Sequence, residues 1–155
     1  MLETIEGAAA VALKAHDGQV DKQGVPYILH PLRVGASLHE FGNEYVIAGM
    51  LHDVIEDTLM TIADLEALGA SASVVTALAL LTKTDKHEPY LKYIERAATH
   101  EIAGWVKTAD IVDNMNRLHG LDDNTAYRLE GKYRAALDVL YRDGFDSQYF
   151  VARFT

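Results

Sequence analysis

The chain predicts an all-α fold, and three observations lead there. Apolar residues recur at three- and four-residue steps along most of the sequence, and no alternating strand pattern runs for more than a few residues. Pro26, Pro31 and Pro89 fall where helices would start or loops would run. With 155 residues, no internal repeat and no low-complexity linker, residues 1–155 read as a single domain.

Each element has its own justification. Thr4 to His16 is an Ala-rich amphipathic segment, and the loop from Asp17 to Tyr27 follows with Gly18 and Gly24 inside it. Pro31, a good first-turn residue, opens a helix reaching about Phe41, where Gly42-Asn43 breaks it. Asn43 is then placed to cap a central helix from Glu44 to Glu56. Thr61, with Asp64 three residues on, predicts a capping box for a short helix that Gly69 ends. Further helices are expected over Ser71 to Leu81, Pro89 to about His100, Ile102 to about Leu118 and Asp122 to Tyr141. In the third of these, Ile102, Trp105, Val106, Ala109 and Val112 form an apolar face, while Lys107, Asp110, Asn114 and Arg117 line the other side. The tail from Asp143 carries Phe145, Tyr149, Phe150 and Phe154, aromatics that either dock on the domain or meet a second subunit in a homo-oligomer.

Composition narrows the functions. Fourteen basic against twenty-three acidic residues give a net charge of −9, which opposes binding a nucleic acid backbone. A small phosphorylated substrate would then need a bound cation or a local cluster of Lys and Arg. No run of about 18 apolar residues is present to span a membrane, and the N-terminus lacks a basic stretch followed by an apolar one. Without cysteine, disulfides and zinc-thiolate sites are excluded. A cytoplasmic protein is expected.

The run His52-Asp53-Val54-Ile55-Glu56-Asp57-Thr58 sets an imidazole and three carboxylates in an apolar stretch. At about 100° per residue, a helix would gather His52, Asp53, Glu56 and Asp57 within an arc of about 140°. Val46, Ile47, Met50, Leu51, Val54 and Ile55 cover the rest, so the carboxylates are buried and need a partner, a proton or a metal. Gly49 lies inside the polar arc and leaves room there, and Thr58 ends the helix through its hydroxyl. Three separated segments, with His30, His52-Asp53 and Asp110, offer metal-compatible groups that a helical bundle could bring together. Two nitrogens and two oxygens without thiolate suit Mn²⁺, Fe²⁺ or Zn²⁺. His16 is expected to orient the loop that follows it, Tyr27 and Tyr90 to pack their rings and bond their hydroxyls, and Asp113 to solvate its helix. His39, His87, His100 and His119 read as structural or exposed.

Four ordered motifs make a more specific match. They are Ala15-His16-Asp17-Gly18-Gln19, Gly24-Val25-Pro26-Tyr27-Ile28-Leu29-His30-Pro31-Leu32, Leu51-His52-Asp53-Val54-Ile55-Glu56-Asp57-Thr58 and Val106-Lys107-Thr108-Ala109-Asp110-Ile111-Val112-Asp113-Asn114. Over about residues 8 to 118 the chain resembles HD-domain hydrolases of the RelA/SpoT family, in their small, hydrolase-only form. The resemblance implies an HD-domain helical bundle that removes pyrophosphate from the 3′ position of guanosine tetra- or pentaphosphate, using Mn²⁺. It implies His30, His52, Asp53 and Asp110 as metal ligands, Glu56 and Asp57 as the acidic pair near the reactive water, and Asn114 facing the nucleotide. Lys22, Lys107 and Arg117 are the candidates for the local positive cluster.

Two positions depart from the family pattern. Asp21 stands where a basic residue helps hold the nucleotide, and Arg117 where a small hydroxyl residue is common. Another nucleotide or phosphate ester therefore stays open as substrate. So does a non-catalytic module that senses a nucleotide without cleaving it.

Overall fold

A computed structural model of the protein describes residues 1–154. Nine α-helices are present among them: α1 (Ile5–Ala15), α2 (Leu29–Ser37), α3 (Asn43–Leu51), α4 (Val54–Asp57), α5 (Ile62–Ala67), α6 (Ala72–Leu81), α7 (Tyr90–Ala97), α8 (Glu101–Met115) and α9 (Asp123–Arg142). One isolated antiparallel bridge, Val20 to Pro26, pinches the loop after α1, and the described residues contain no strand. The all-α expectation therefore holds.

Local chemistry sets most boundaries. Thr4, Ser71 and Asp122 each accept a backbone N–H at the start of α1, α6 and α9, and Thr61 with Asp64 completes the expected capping box of α5. Three expectations are corrected. The second helix starts at Leu29, before Pro31, and ends at Ser37, with a separate 3₁₀ turn over His39–Phe41. Asn43 is the first residue of α3, with Gly42 at the cap position, φ 121°, and no side-chain cap. The central helix is not continuous: α3 stops at Leu51 and α4 restarts at Val54. The His52 imidazole explains the break. Its Nδ1 donates to the Gly49 carbonyl at 2.7 Å and competes with the helical ladder at that point. Thr58 ends α4 as expected, its hydroxyl donating to the Val54 carbonyl.

α3 occupies the centre of the bundle, against α1, α2, α6 and α8, with Val46 through Leu51 all buried. The α2–α3 contact is unusually close because it is made by two glycines. A Cβ on Gly49 would lie 2.9 Å from the Gly35 Cα, so Gly49 serves helix packing and does not leave room for a ligand. A second core joins α7, α8 and α9 through Tyr93, Ile94, Ile111, Ala136 and Leu140. The tail docks on this same chain: Phe145, Tyr149 and Phe150 set their rings 5.5, 5.9 and 6.0 Å from Trp105. Phe145 packs where a Cβ on Gly104 would sit. No helix among the described residues is long and apolar enough to cross a membrane.

Candidate metal centre

The ends of α2 and α3 and the middle of α8 converge on one buried point. His30 lies in the first turn of α2, His52 follows the last residue of α3, Asp53 sits in the break, and Asp110 projects from α8. Ligand atoms of His30, His52 and Asp53 lie within 4.8 Å of one another. Asp110 Oδ1 joins them, 2.9 Å from His30 Nε2 and 3.5 Å from His52 Nε2. Asp53 Oδ2 is 2.9 Å from His52 Nε2 and 3.9 Å from His30 Nε2. The four residues singled out in the sequence are thus brought together.

Both imidazoles are held in the same tautomer. His52 Nδ1 donates to the Gly49 carbonyl, and His30 Nδ1 donates to Asp113 Oδ2 at 2.6 Å. With Nδ1 engaged in each ring, Nε2 is the atom turned towards the two carboxylates. In the metal-free fold the raised pKa values keep a proton there, and once that proton is lost Nε2 offers a lone pair to an ion. His52 Nε2 is buried and makes no hydrogen bond, which is the state expected of a ligand atom awaiting a cation. Hard carboxylate oxygens with borderline imidazoles fit a divalent ion, so His30, His52 and Asp53 can hold one, with Asp110 alongside.

Charge in the cluster is strongly coupled. Burial alone would drive the His52 imidazole towards neutrality, yet Asp53 and Asp110 hold its pKa well above the usual value; the bonds from Asp110 and Asp113 outweigh burial at His30 in the same way. Burial is likewise outweighed at Asp53, which the imidazoles bring down to about 2, and at Asp110, which Lys107 and the imidazoles hold well below the carboxylate range.

A layer of partners surrounds the four. Asp113 is buried and is not the solvating residue expected: besides His30 it accepts from Arg33 Nε at 2.8 Å and from Arg33 Nη2 at 3.0 Å. The Tyr27 hydroxyl donates to Asp53 Oδ2. Asp113 and Arg33 were missed in the sequence, although the three-residue step from Asp110 to Asp113 on one helix was a usable signal. Lys107 is enclosed, its Nζ 2.7 Å from Asp110 Oδ2 and 5.0 Å above the Tyr93 ring, so its charge is spent on Asp110.

Glu56 and Asp57 are exposed at the mouth of the centre and do not share a continuous helix face with His52 and Asp53. Glu56 Oε1 accepts the Lys83 backbone N–H at 2.8 Å. The Asp57 carboxyl is shifted upward, by partial burial first and then by Asp53 and Glu56, and so binds a proton more readily than a free carboxylate.

Beside the centre opens a cavity of about 300 Å³ lined by Asp21, Lys22, Tyr27, Asn114, Arg117 and Tyr133, among others. Asn114 Nδ2 donates to Asp110 Oδ1 at 3.1 Å. Arg117 is tied to the wall: Nη1 lies 3.3 Å from Asp21 Oδ2, and Nε lies 3.7 Å from Asp113 Oδ2 without a hydrogen bond. Among the described residues, Lys22 alone of the three expected cations forms no ion pair. Others gather that no local motif announced. Lys132 of α9 stacks 4.2 Å over the Tyr90 ring, and its pKa is lowered by burial and then by Lys107, Lys83, Arg128 and Lys22. Among the described residues, Lys22, Lys83, Arg128 and Lys132 have no carboxylate partner within ion-pair distance.

Known proteins share both pattern and shape. The chain is 35% identical over 139 residues to the bifunctional (p)ppGpp synthase/hydrolase SpoT of Escherichia coli, covering 83% of this chain and 20% of that protein. It is 34% identical over 124 residues to a guanosine-3′,5′-bis(diphosphate) 3′-pyrophosphohydrolase of Aquifex aeolicus, covering 75% and 18%. A GTP pyrophosphokinase of Myxococcus xanthus is 33% identical over 142 residues, covering 83% and 19%. The chain thus spans about a fifth of the length of these curated relatives. The solved structure of a metazoan ortholog of SpoT that hydrolyzes ppGpp superposes with a TM-score of 0.81 at 24% identity, over 97% of this chain and 90% of that one, and so shares the fold. The resemblance drawn from the four motifs is borne out. A family profile described as HD domain matches residues 8–100, which include the His30 and His52-Asp53 motifs that meet at the centre, and the chain belongs to the HD domain family.

Proposed function

We propose that the chain is a metal-dependent phosphohydrolase that acts on guanosine 3′,5′-bis(diphosphate) and releases pyrophosphate from its 3′ position. The observation that carries this reading is the pair of Nε2 atoms, oriented by their Nδ1 bonds and converging with Asp53 and Asp110 beside a cavity of about 300 Å³. The names of the relatives supply the substrate.

His30, His52, Asp53 and Asp110 hold the ion, with Mn²⁺ as the reading and Fe²⁺ or Zn²⁺ as its rivals. A bound divalent ion lowers the pKa of a coordinated water and polarises a phosphoryl oxygen. The chain's own residues do the rest. Asp113 and Gly49 keep the two imidazoles oriented, as partners behind metal ligands generally do. Asp57, readier than a free carboxylate to bind a proton, is the group that passes one to the departing ribose 3′ oxygen, while Glu56 is oriented by the Lys83 N–H at the mouth. The water oxygen bonds to phosphorus as the bond from phosphorus to the ribose 3′ oxygen breaks, and Asp57 gives its proton to that ribose oxygen. The carboxylate left on Asp57 takes up the proton that the attacking water loses, so that Asp57 ends protonated as it began. Asn114 and Tyr27 line the nucleoside side, and Lys22, Lys83, Arg128 and Lys132 supply the positive field for the phosphates that a chain of net charge −9 otherwise lacks. A small nucleotide is thus the partner in this reading; nucleic acid, a membrane and an obligatory second subunit have no part in it, and its setting is the cytoplasm.

Purified protein given Mn²⁺ and guanosine tetraphosphate should release pyrophosphate and no orthophosphate. Asp110→Ala should abolish both ion binding and turnover. Ion binding with turnover of a different nucleotide would replace the substrate; turnover retained in Asp110→Ala would refute the centre.

A further inference from the structure

His16 is buried, caps the C-terminus of α1, and is not one of the four residues around the centre. Its hydrogen positions follow from its neighbours. The Asp57 backbone carbonyl can only accept, so the Gln19 Nε2 that lies 3.0 Å from it must be the amide NH₂. Gln19 Oε1 therefore faces His16 Nδ1, at 2.8 Å, and Nδ1 carries the hydrogen. Main-chain bonds fix Gln19 from both sides: its N–H donates to the His16 carbonyl at 3.0 Å, and its carbonyl accepts from Tyr27 N–H at 2.9 Å. His16 Nε2 is buried and has no partner. An unmet buried acceptor is unfavourable, so the Nδ1 end is the one that holds this ring.

We propose that His16 and Gln19 are positioning residues, a relay from the end of α1 to the last residue of α4 that sets where the Asp57 carboxyl stands over the centre. The inference rests on the reading of Asp57 as the proton-carrying group. It extends the expected role of His16 beyond its own loop, to a residue 38 positions from Gln19. Asp57 sits at a helix end, with its side chain exposed at the mouth. Among the hydrogen bonds of this segment, the bond from Gln19 is the one that fixes the Asp57 carbonyl from outside α4.

Two sets of measurements on the full chain test it. Without added metal, long-range ¹H–¹⁵N spectra should show His16 protonated at Nδ1, and the ¹³C resonance of the Asp57 backbone carbonyl should shift in Gln19→Leu. A His16 protonated at Nε2, or an Asp57 resonance unmoved by Gln19→Leu, would overturn the relay whatever the protein turns over. With Mn²⁺ and guanosine tetraphosphate, Gln19→Leu and His16→Phe should lower kcat by about 100-fold, the scale of a misplaced reacting group. KM and Mn²⁺ affinity should stay within about twofold. His16→Asn, which keeps an N–H near the place of Nδ1, should recover most of the lost kcat and guards against a folding defect in His16→Phe. If His16→Asn is well folded and as slow as His16→Phe, the Nε2 atom acts directly and the positioning role is wrong. If the parent chain binds Mn²⁺ and gives the expected spectra but turns nothing over, the hydrolase reading fails while the relay stands.

Discussion

Replacing Asp113 by Asn tests whether the centre depends on its surrounding layer. The carboxylate accepts three N–H donors on two oxygens: His30 Nδ1 at 2.6 Å and Arg33 Nη2 at 3.0 Å on Oδ2, and Arg33 Nε at 2.8 Å on Oδ1. An amide of the same shape offers one acceptor oxygen and one NH₂. If the oxygen faces His30, the NH₂ is driven against Arg33 Nε; if it is flipped, the NH₂ meets His30 Nδ1–H. Either way a buried donor meets a donor, at a cost of about 1–3 kcal/mol. The anionic charge that helps orient His30 is lost as well. Removal of such a partner lowers metal affinity by about 10–100-fold, or about 1.4–2.8 kcal/mol. Calorimetric titration of Asp113→Asn with Mn²⁺ at fixed pH, alongside a thermal melt, separates the two costs. A lowered melting temperature with parental Mn²⁺ affinity would refute the reasoning, because His30 would then need no carboxylate behind it.

Three further outcomes follow from the same geometry. His30 and His52 have pKa values raised above the ordinary 6.5 in the metal-free fold, so their protonated forms stabilise that fold below this value, and the benefit fades as pH rises through the raised values. Mn²⁺ needs the neutral rings, so its affinity should climb over that same window with proton release; calorimetry in buffers of different ionisation enthalpy would show it, and a pH-independent affinity would contradict it. Gly49→Ala should lower stability by about 1–3 kcal/mol, since the added methyl meets Gly35 backbone at 2.9 Å; an unchanged denaturation midpoint would mean that α2 and α3 can separate freely. Lys132→Met keeps a long chain over Tyr90 but removes the charge, and should raise KM for guanosine tetraphosphate with little change in kcat; an unchanged KM would take Lys132 out of phosphate binding.

The fold and the inner four residues were legible because their signals are local. Caps such as Thr61 with Asp64 operate within one turn, and His52-Asp53 lies in a short run whose carboxylates demand a partner. What stayed hidden depends on distance along the chain. Tyr27 reaches Asp53 across 26 positions and His30 reaches Asp113 across 83, and no periodicity encodes such pairings. The break after Leu51 was hidden for another reason: apolar spacing runs on through it, and the competitor for the Gly49 carbonyl is a side chain. Gly49 itself was misread because a missing side chain marks a close approach without saying what approaches. Arg128 and Lys132 lie four residues apart on α9, but Lys83 and Lys22 come from separate segments and join them only in the folded chain.

α8 belongs to two cores at once. Ala109 and Val106 pack into the cluster around α3, Ile111 packs into the one formed with α7 and α9, and between those apolar residues stands Asp110. The protein has therefore given up modularity. Neither half can loosen without dragging a carboxylate away from the imidazoles, and an ion gripped there would be felt as far out as the aromatic tail.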